Sequence, residues 1–423
     1  MEVGTTKLNE DSLRALINNL NNNYVHREKF QDMQLSIDGN RDEIWQRALN
    51  ERAQGYNRRL NYSDIDIKWW ISNTLEAQLH RLDIGMAGGR GLEALLESKH
   101  TYRHKTSALL DESITSAQLA GASVSKKVAK EMLLKKRVPQ NINEQICINI
   151  YRTLQLGYAK AAEPLTEPAL LQLHQTLTKD TIKLKGVGNY RTNNKIDVSS
   201  VDSVAGYMPA EAKEIPALMA FVFDLYNNDF EPFFIHPIVK AAIIHYLVVT
   251  IRPFKDGNGR AARLLAQMYL LKKEYWVGEF ISVSNVISKF KPQYHKSIVQ
   301  SQTDENNIGY FIQFYVQSIS MAYKSIKDFV QRISREKAEK AASKIPGYNE
   351  RQTAVLQWVK EDGSKVVTIR ELRSVYGVSK ETARTDLTAL VSKGWIKYYH
   401  INKKTYAFVK ADEFDRLMQQ YEQ

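Results

Sequence analysis

Fourteen consecutive positions, Ile238 to Ile251 (IVKAAIIHYLVVTI), constrain this chain more than any others. Lys240 and His245 interrupt a surface that is otherwise apolar nearly all round a helical projection. Such a helix has no face to offer water and must be packed on every side. A bilayer span takes ~20 apolar residues, so this run predicts the buried middle helix of a bundle and not a membrane segment. His236-Pro237 marks its start, because proline is tolerated in the first helical turn.

Most of the remaining chain also reads as helix. Residues 10–80 mix apolar and polar positions with little strand character, and GMAGGRG (Gly85 to Gly91) reads as a loop. A second helical block covers residues 107–180. In Gly186 to Val198 (GVGNYRTNNKIDV), glycine and asparagine flank short β-prone pieces, which predicts a hairpin or flap. Helices resume over 210–342, and the basic run Arg332 to Lys344 leads to a boundary at Pro346-Gly347. Beyond it the rhythm changes. Helices are expected over 352–360 and 368–376, and Ser379 can cap a third with Ala383, Leu387, Leu390 and Val391 on one face. Trp395 to Ile401 and Thr405 to Val409 then form a hairpin across Asn402-Lys403-Lys404, giving a winged helix-turn-helix.

A single cysteine, Cys147, excludes a disulfide framework and fits a reducing cytoplasm. The opening MEVGTTKLNEDSLR has no basic stretch followed by an apolar one, so no signal peptide and no membrane partner are expected. The net charge of +12 raises the expectation of a polyanionic partner without identifying it.

The buried helix runs straight into IRPFKDGNGRAAR, Ile251 to Arg263. Gly257 and Gly259 let a ligand approach the main chain. Helix formers follow at once, so free N–H groups and a positive dipole end face the loop, which makes an anion site. Arg260 and Arg263 share a helix face and can each grip phosphate oxygens. Asn258 can bond a phosphate through its amide, and Asp256 is a hard oxygen ligand suited to Mg²⁺. A nucleotide di- or triphosphate fits this set. A tight turn with surface arginines is the plainer alternative, but it accounts only for the glycines.

The stretch resembles the signature of the Fic family, H-x-F-x-[DE]-G-N-G-R-x-x-R, at every fixed position except the first. Gly188-Asn189-Tyr190-Arg191 matches the family's flap pattern G-x-Y-R, and His236-Pro237 stands where the family has its usual pair. The resemblance covers roughly residues 107 to 325. It implies a mainly α Fic bundle with a β-hairpin flap, and transfer of AMP from ATP to a Ser, Thr or Tyr hydroxyl of a target protein. By position it implies Mg²⁺ on Asp256, and the α- and β-phosphates on Asn258 and the amides around Gly257 and Gly259. Arg260 would support the phosphates and Arg263 the γ-phosphate. The flap from Gly188 to Thr192 would align the target by β-augmentation.

Arg252 stands where the family has the histidine that takes the proton from the attacking hydroxyl. An imidazole with a pKa of ~6.5 can act as that base at neutral pH, and a guanidinium cannot. His236 and His245 are expected to be core histidines and not substitutes. Ser116-Ala117-Gln118-Leu119-Ala120-Gly121 matches the family's inhibitory pattern [ST]-x-x-x-E-[GN], except that Ala120 replaces the glutamate. The clamp on Arg263 is therefore expected to be absent. A plain helix end before a glycine is the alternative.

Twelve Lys and Arg against five Asp and Glu between Arg351 and Lys410 place more than half of the chain's excess charge in the last domain. Lys380, Thr382, Arg384 and Thr385 on the third helix, with Lys403 and Lys404 at the wing tip, are the expected contacts to duplex DNA. Winged helices also dock proteins, and the charge favours DNA. The expected organisation is an N-terminal helical region (1–106), a Fic domain (107–335), a linker (336–350) and a winged helix (351–423). Within the Fic domain lie the inhibitory-type helix (116–121), flap (186–198) and signature loop (252–263). Three functions remain open: an adenylyltransferase impaired by Arg252, a silent nucleotide-binding DNA-binding regulator, and a scaffold that docks proteins through the flap. The oligomeric state is open too, a homodimer included.

Overall fold

The structure is a computed structural model, and it describes residues 10–35, 40–55, 58–62, 65–88, 92, 101–135, 137–194, 209–229, 233–342, 347–402 and 405–422. The chain divides into two compact units, one of residues 1–89 and 102–323, the other of 90–101 and 324–423. The division falls inside a long helix, upstream of the linker expected at 336–350.

The first unit is a helical bundle with a small hairpin. Its elements are α1 (Glu10–Asn22), α2 (Arg27–Asp32), α3 (Arg41–Gly55), β1 (Arg58–Tyr62), β2 (Ile65–Trp69) and α4 (Asn73–Leu82). Then come α5 (Thr101–Leu119), α6 (Lys126–Lys135), α7 (Ile142–Ala159), α8 (Glu167–Thr178), α9 (Ile215–Asn227), α10 (Pro237–Ile251) and α11 (Asn258–Lys272). α12 (Val283–Lys289), α13 (Lys291–Thr303) and the long α14 (Gly309–Ala342) complete it, the last running on into the second unit.

The expected buried helix is α10, and 12 of its 15 residues are buried. Its neighbour α11 is buried at 13 of 15, including Asn258, Arg260, Arg263 and Gln267. Polar groups taken so far from water need partners. Which partners they have defines the site below.

The N-terminal region departs from expectation. It contains a β-hairpin, with Arg58 opposite Trp69 and Tyr62 opposite Ile65. Leu60, Ile67 and Trp69 turn inward, so the strands alternate as a half-buried ribbon should. The free edge of β2 is closed by backbone bonds from Lys68 N to Asn306 O (3.1 Å) and from Ile308 N to Lys68 O (2.9 Å). Arg52, with no solvent exposure, donates to Asn21 Oδ1 (2.7 Å), Val25 O (2.7 Å), Leu20 O (3.1 Å) and Tyr310 Oη (3.1 Å). Tyr24 Oη donates to Asn307 Oδ1 at 2.8 Å. Gly85 lies not in a loop but in a π-helical turn, Asp83–Ala87.

The second unit follows the winged-helix pattern. It has α15 (Glu350–Glu361), β3 (Val367–Thr368), α16 (Ile369–Tyr376), α17 (Lys380–Ser392), β4 (Ile396–Asn402), β5 (Thr405–Lys410) and α18 (Phe414–Glu422). The sheet order is β3-β5-β4, all antiparallel. Val355, Leu356, Leu372, Ala383, Leu387, Leu390, Trp395 and Phe408 make its core. The short β3 and the closing helix α18, whose Phe414 is fully buried, were not expected.

Among the described residues, no helix is long and apolar enough to cross a membrane.

Candidate nucleotide site and nucleic-acid interface

The loop between α10 and α11 is built by its own backbone needs. α10 ends at Arg252, which takes a left-handed conformation (φ 49°, ψ 63°) and is only 7% exposed. The carbonyls at that helix end need donors, and Arg191 from the flap provides them. Its Nε donates to Arg252 O at 2.7 Å and its Nη2 to Ile251 O at 3.3 Å, while its backbone N donates to Pro253 O at 2.9 Å. The flap arginine is therefore a cap for α10 and fixes Gly188 to Thr192 beside the loop. Among the described residues 184–194 the flap is a single 3₁₀ turn, Leu184–Gly186, followed by turns without a strand. Residues 195–198, the rest of the expected hairpin, lie outside the described residues.

Asn258 is held by the loop itself. Its Oδ1 accepts from Phe254 N (2.9 Å) and its Nδ2 donates to Phe254 O (2.8 Å). The amide closes the loop on itself, like a rung across it, and its second N–H is still free to meet a phosphate. Gly257 is the N-cap of α11 at φ 88°, and no side chain caps the helix. The first helical turn therefore presents its N–H groups to the loop.

Arg260 is 3% exposed, and its Nη2 donates to Asp256 Oδ2 at 2.7 Å. Its Nε and Nη1 are buried with no partner among the described residues. Burial would raise the Asp256 carboxyl, but the Arg260 guanidinium and the bond from Gly257 N (2.6 Å to Oδ1) bring it below its usual value. Asp256 thus stays anionic beside two orphaned donors.

Arg263 points to α5. Its Nε donates to Ser116 Oγ at 3.0 Å and its Nη2 to Ser116 O at 3.1 Å. The family resemblance pairs Ser116 and Arg263, and the fold brings these two together. Ala120 offers no carboxylate, and Ser116 holds Arg263. Gly121 N bonds Gln118 O (3.0 Å) and Ala122 N bonds Ala117 O (2.9 Å), so Ala120 and Gly121 also end α5 with paired carbonyls.

Neither other histidine on α10 serves the loop. His236 caps the opposite end of the helix, its Nδ1 accepting from Ile238 N at 3.2 Å and its Nε2 lying 3.1 Å from Asp83 Oδ2. His245 is fully buried, 3.1 Å from Tyr294 Oη, and burial and Arg263 together push it down to about 3. The histidine that does touch the loop is His174 on α8, which the sequence reading missed. Its Nε2 is 2.9 Å from Asp256 O, its Nδ1 accepts from Gly188 N at 3.1 Å, and its ring stacks on Phe254 at 3.6 Å. Nothing local in the sequence marks it, since each contact comes from a distant segment.

In the second unit, Ser379 caps α17, its Oγ accepting from Thr382 N at 3.0 Å. Lys380, Arg384 and Thr385 are exposed, whereas Thr382 is half-buried with its hydroxyl 2.9 Å from Ser379 Oγ. Thr382 is thus bound up in the cap. Asp386 on the opposite face is buried and bonded by Arg351 Nε (2.5 Å) and Asn349 Nδ2 (2.7 Å), which fixes α17 against α15. Lys403 and Lys404 lie outside the described residues.

The Fic/DOC family model matches residues 164–270, and the DeoR-like helix-turn-helix model matches residues 351–400. The chain is 32% identical over 111 residues to the protein adenylyltransferase Fic of Drosophila willistoni, covering 26% of this chain and 20% of that protein. Over 154 residues it is 29% identical to the protein of the same name from Nematostella vectensis, covering 36% and 32%. It therefore spans between a fifth and a third of these curated relatives. In fold it is similar to a Fic family protein from Desulfovibrio desulfuricans G20, with a TM-score of 0.51 at 20% identity, covering 79% of this chain and 96% of that one. The signature loop, its capping flap and the helices around them thus make residues 164–270 a Fic/DOC-family domain, joined to a DeoR-like helix-turn-helix domain at 351–400.

Proposed function

We propose that the loop binds ATP, and that the chain is a Fic-type protein adenylyltransferase held at low turnover by Arg252. One observation carries the nucleotide reading. Arg260 is a buried cation with two unpartnered donors, beside an uncapped helix N-terminus. Leaving such donors unmade in a folded core is costly, and a phosphate would satisfy both while meeting the helix dipole.

Mg²⁺ commonly takes one or two carboxylates together with substrate phosphates. Asp256, which is held ionised, suits that role. No group of three or more His, Cys, Asp and Glu side chains gathers among the described residues, so most ligands would come from the nucleotide and water. The metal would offset phosphate charge. Arg260 would hold the phosphates in line, and the flap, fixed by Arg191, would present the acceptor hydroxyl.

Among the described residues, the site lacks a base. Arg252 cannot take the hydroxyl proton, and His236, His245 and His174 are committed to the bonds described above. The second reading is a nucleotide-responsive DNA-binding regulator. It is favoured by the exposed Lys380 and Arg384 on a helix fixed from behind by Asp386.

The test has two arms. Calorimetry with Mg²⁺-ATP should give saturable binding, and its absence at millimolar nucleotide removes both readings. Label transfer from ATP to protein in a lysate then separates transferase from regulator.

A further inference from the structure

We propose that His174 is a positioning residue that locks the flap to the phosphate loop, so that acceptor docking and nucleotide geometry are set by one imidazole ring. This rests on the nucleotide reading of the loop and adds to it a coupling between its two halves. His174 is 1% exposed and lies between the two segments. One nitrogen accepts the flap amide of Gly188 (3.1 Å), the other faces the carbonyl of Asp256 (2.9 Å). A backbone N–H needs an acceptor and a carbonyl needs a donor, so only the neutral ring with its proton on Nε2 satisfies both.

The two glycines beside it are shaped to this arrangement. Gly188 (φ 66°) and Gly257 (φ 88°) both lie in the left-handed region and both press on α8. A Cβ at 188 would sit 3.2 Å from Leu171 O and from Gln175 Cβ; one at 257 would sit 3.3 Å from His174 Nε2 and 3.2 Å from Thr178 Cγ2. The helix is thus a common template for flap and loop. The ring is stacked on Phe254 with 7° between planes, and Phe254 is itself clamped by Asn258. A shift of the flap by a fraction of an ångström would be passed to Asp256 and Gly257, the residues that begin the anion site.

The first measurement uses the unaltered chain, labelled with ¹⁵N-histidine and free of nucleotide. The His174 ring should be the neutral Nε2–H form between pH 6 and 8. An Nδ1–H or doubly protonated ring overturns the proposal, because neither can accept from Gly188 N.

The second compares His174→Phe, which keeps the stack and loses both bonds, with His174→Gln, which can accept and donate. Amide exchange in the Phe variant should accelerate by about tenfold or more at Gly188 and also at Phe254 and Gly257, and the Gln variant should recover part of it. That is the signature of opening that costs at least ~1.4 kcal/mol less. Acceleration confined to Gly188 overturns the proposal. If the Phe variant fails to fold, the tautomer decides. Both readouts are taken without nucleotide, so a chain that binds no ATP and a chain whose flap is uncoupled give different results.

Discussion

Arg252 occupies the one position of the loop where chemistry and backbone make separate demands. The left-handed backbone there is one that histidine adopts more readily than most residues, and Arg191 bonds the carbonyl of position 252, not its side chain. Arg252→His should therefore fold in place and supply the missing base. Label transfer from ATP is expected to rise by ~10²–10⁴-fold, with Asp256→Ala as the inactive control. A histidine variant that binds ATP and transfers nothing would leave the regulator reading. A second change at this scale is Ser116→Ala. Arg263 must leave Ser116 to reach a terminal phosphate, so removing a hydrogen bond worth ~1 kcal/mol should tighten ATP about fivefold, with AMP unaffected, as read by calorimetry. Weaker or equal ATP binding would mean that Arg263 serves the helix and not the nucleotide.

The helix–loop–helix of α10 and α11 depends on the backbone of Gly257. Gly257→Ala adds strain at φ 88° and a close contact with His174, and should lower stability by at least ~1 kcal/mol in urea unfolding. An unchanged midpoint would show the loop to be looser than its geometry. Elements with local signals were legible in the sequence. Pro237 marked a helix start, Ser379 a cap, and the buried run of α10 its place in the bundle. The pair β1–β2 was not read, although Ile65, Ile67 and Trp69 alternate with Asp66 and Lys68. Five residues of period two are easily lost in a charged stretch, and a tertiary partner, the backbone at 306–308, completes the ribbon. Residue type marks Asn258 as a phosphate ligand, and the turn it also closes is visible only in three dimensions. His174 lacked any signal for the same reason.

At the scale of the whole molecule, charge and modularity decide what can be tested. Lys380→Ala with Arg384→Ala in the full chain should flatten the salt dependence of duplex DNA retention by about two units of log–log slope, since each phosphate no longer neutralised removes ~0.9. An unaltered slope would assign these side chains to a protein partner. The other consequence lies with Arg52, whose guanidinium is shared among α1, the turn after it and Tyr310 on α14. Arg52→Met should cost about 3 kcal/mol, because it strands two buried acceptors, the Val25 carbonyl and Asn21 Oδ1. A segment fastened in this way cannot be traded as a cassette between related chains. A different N-terminal region brought in by recombination would have to meet the hydroxyl at 310, among the described residues the one acceptor of Arg52 that lies outside residues 20–25.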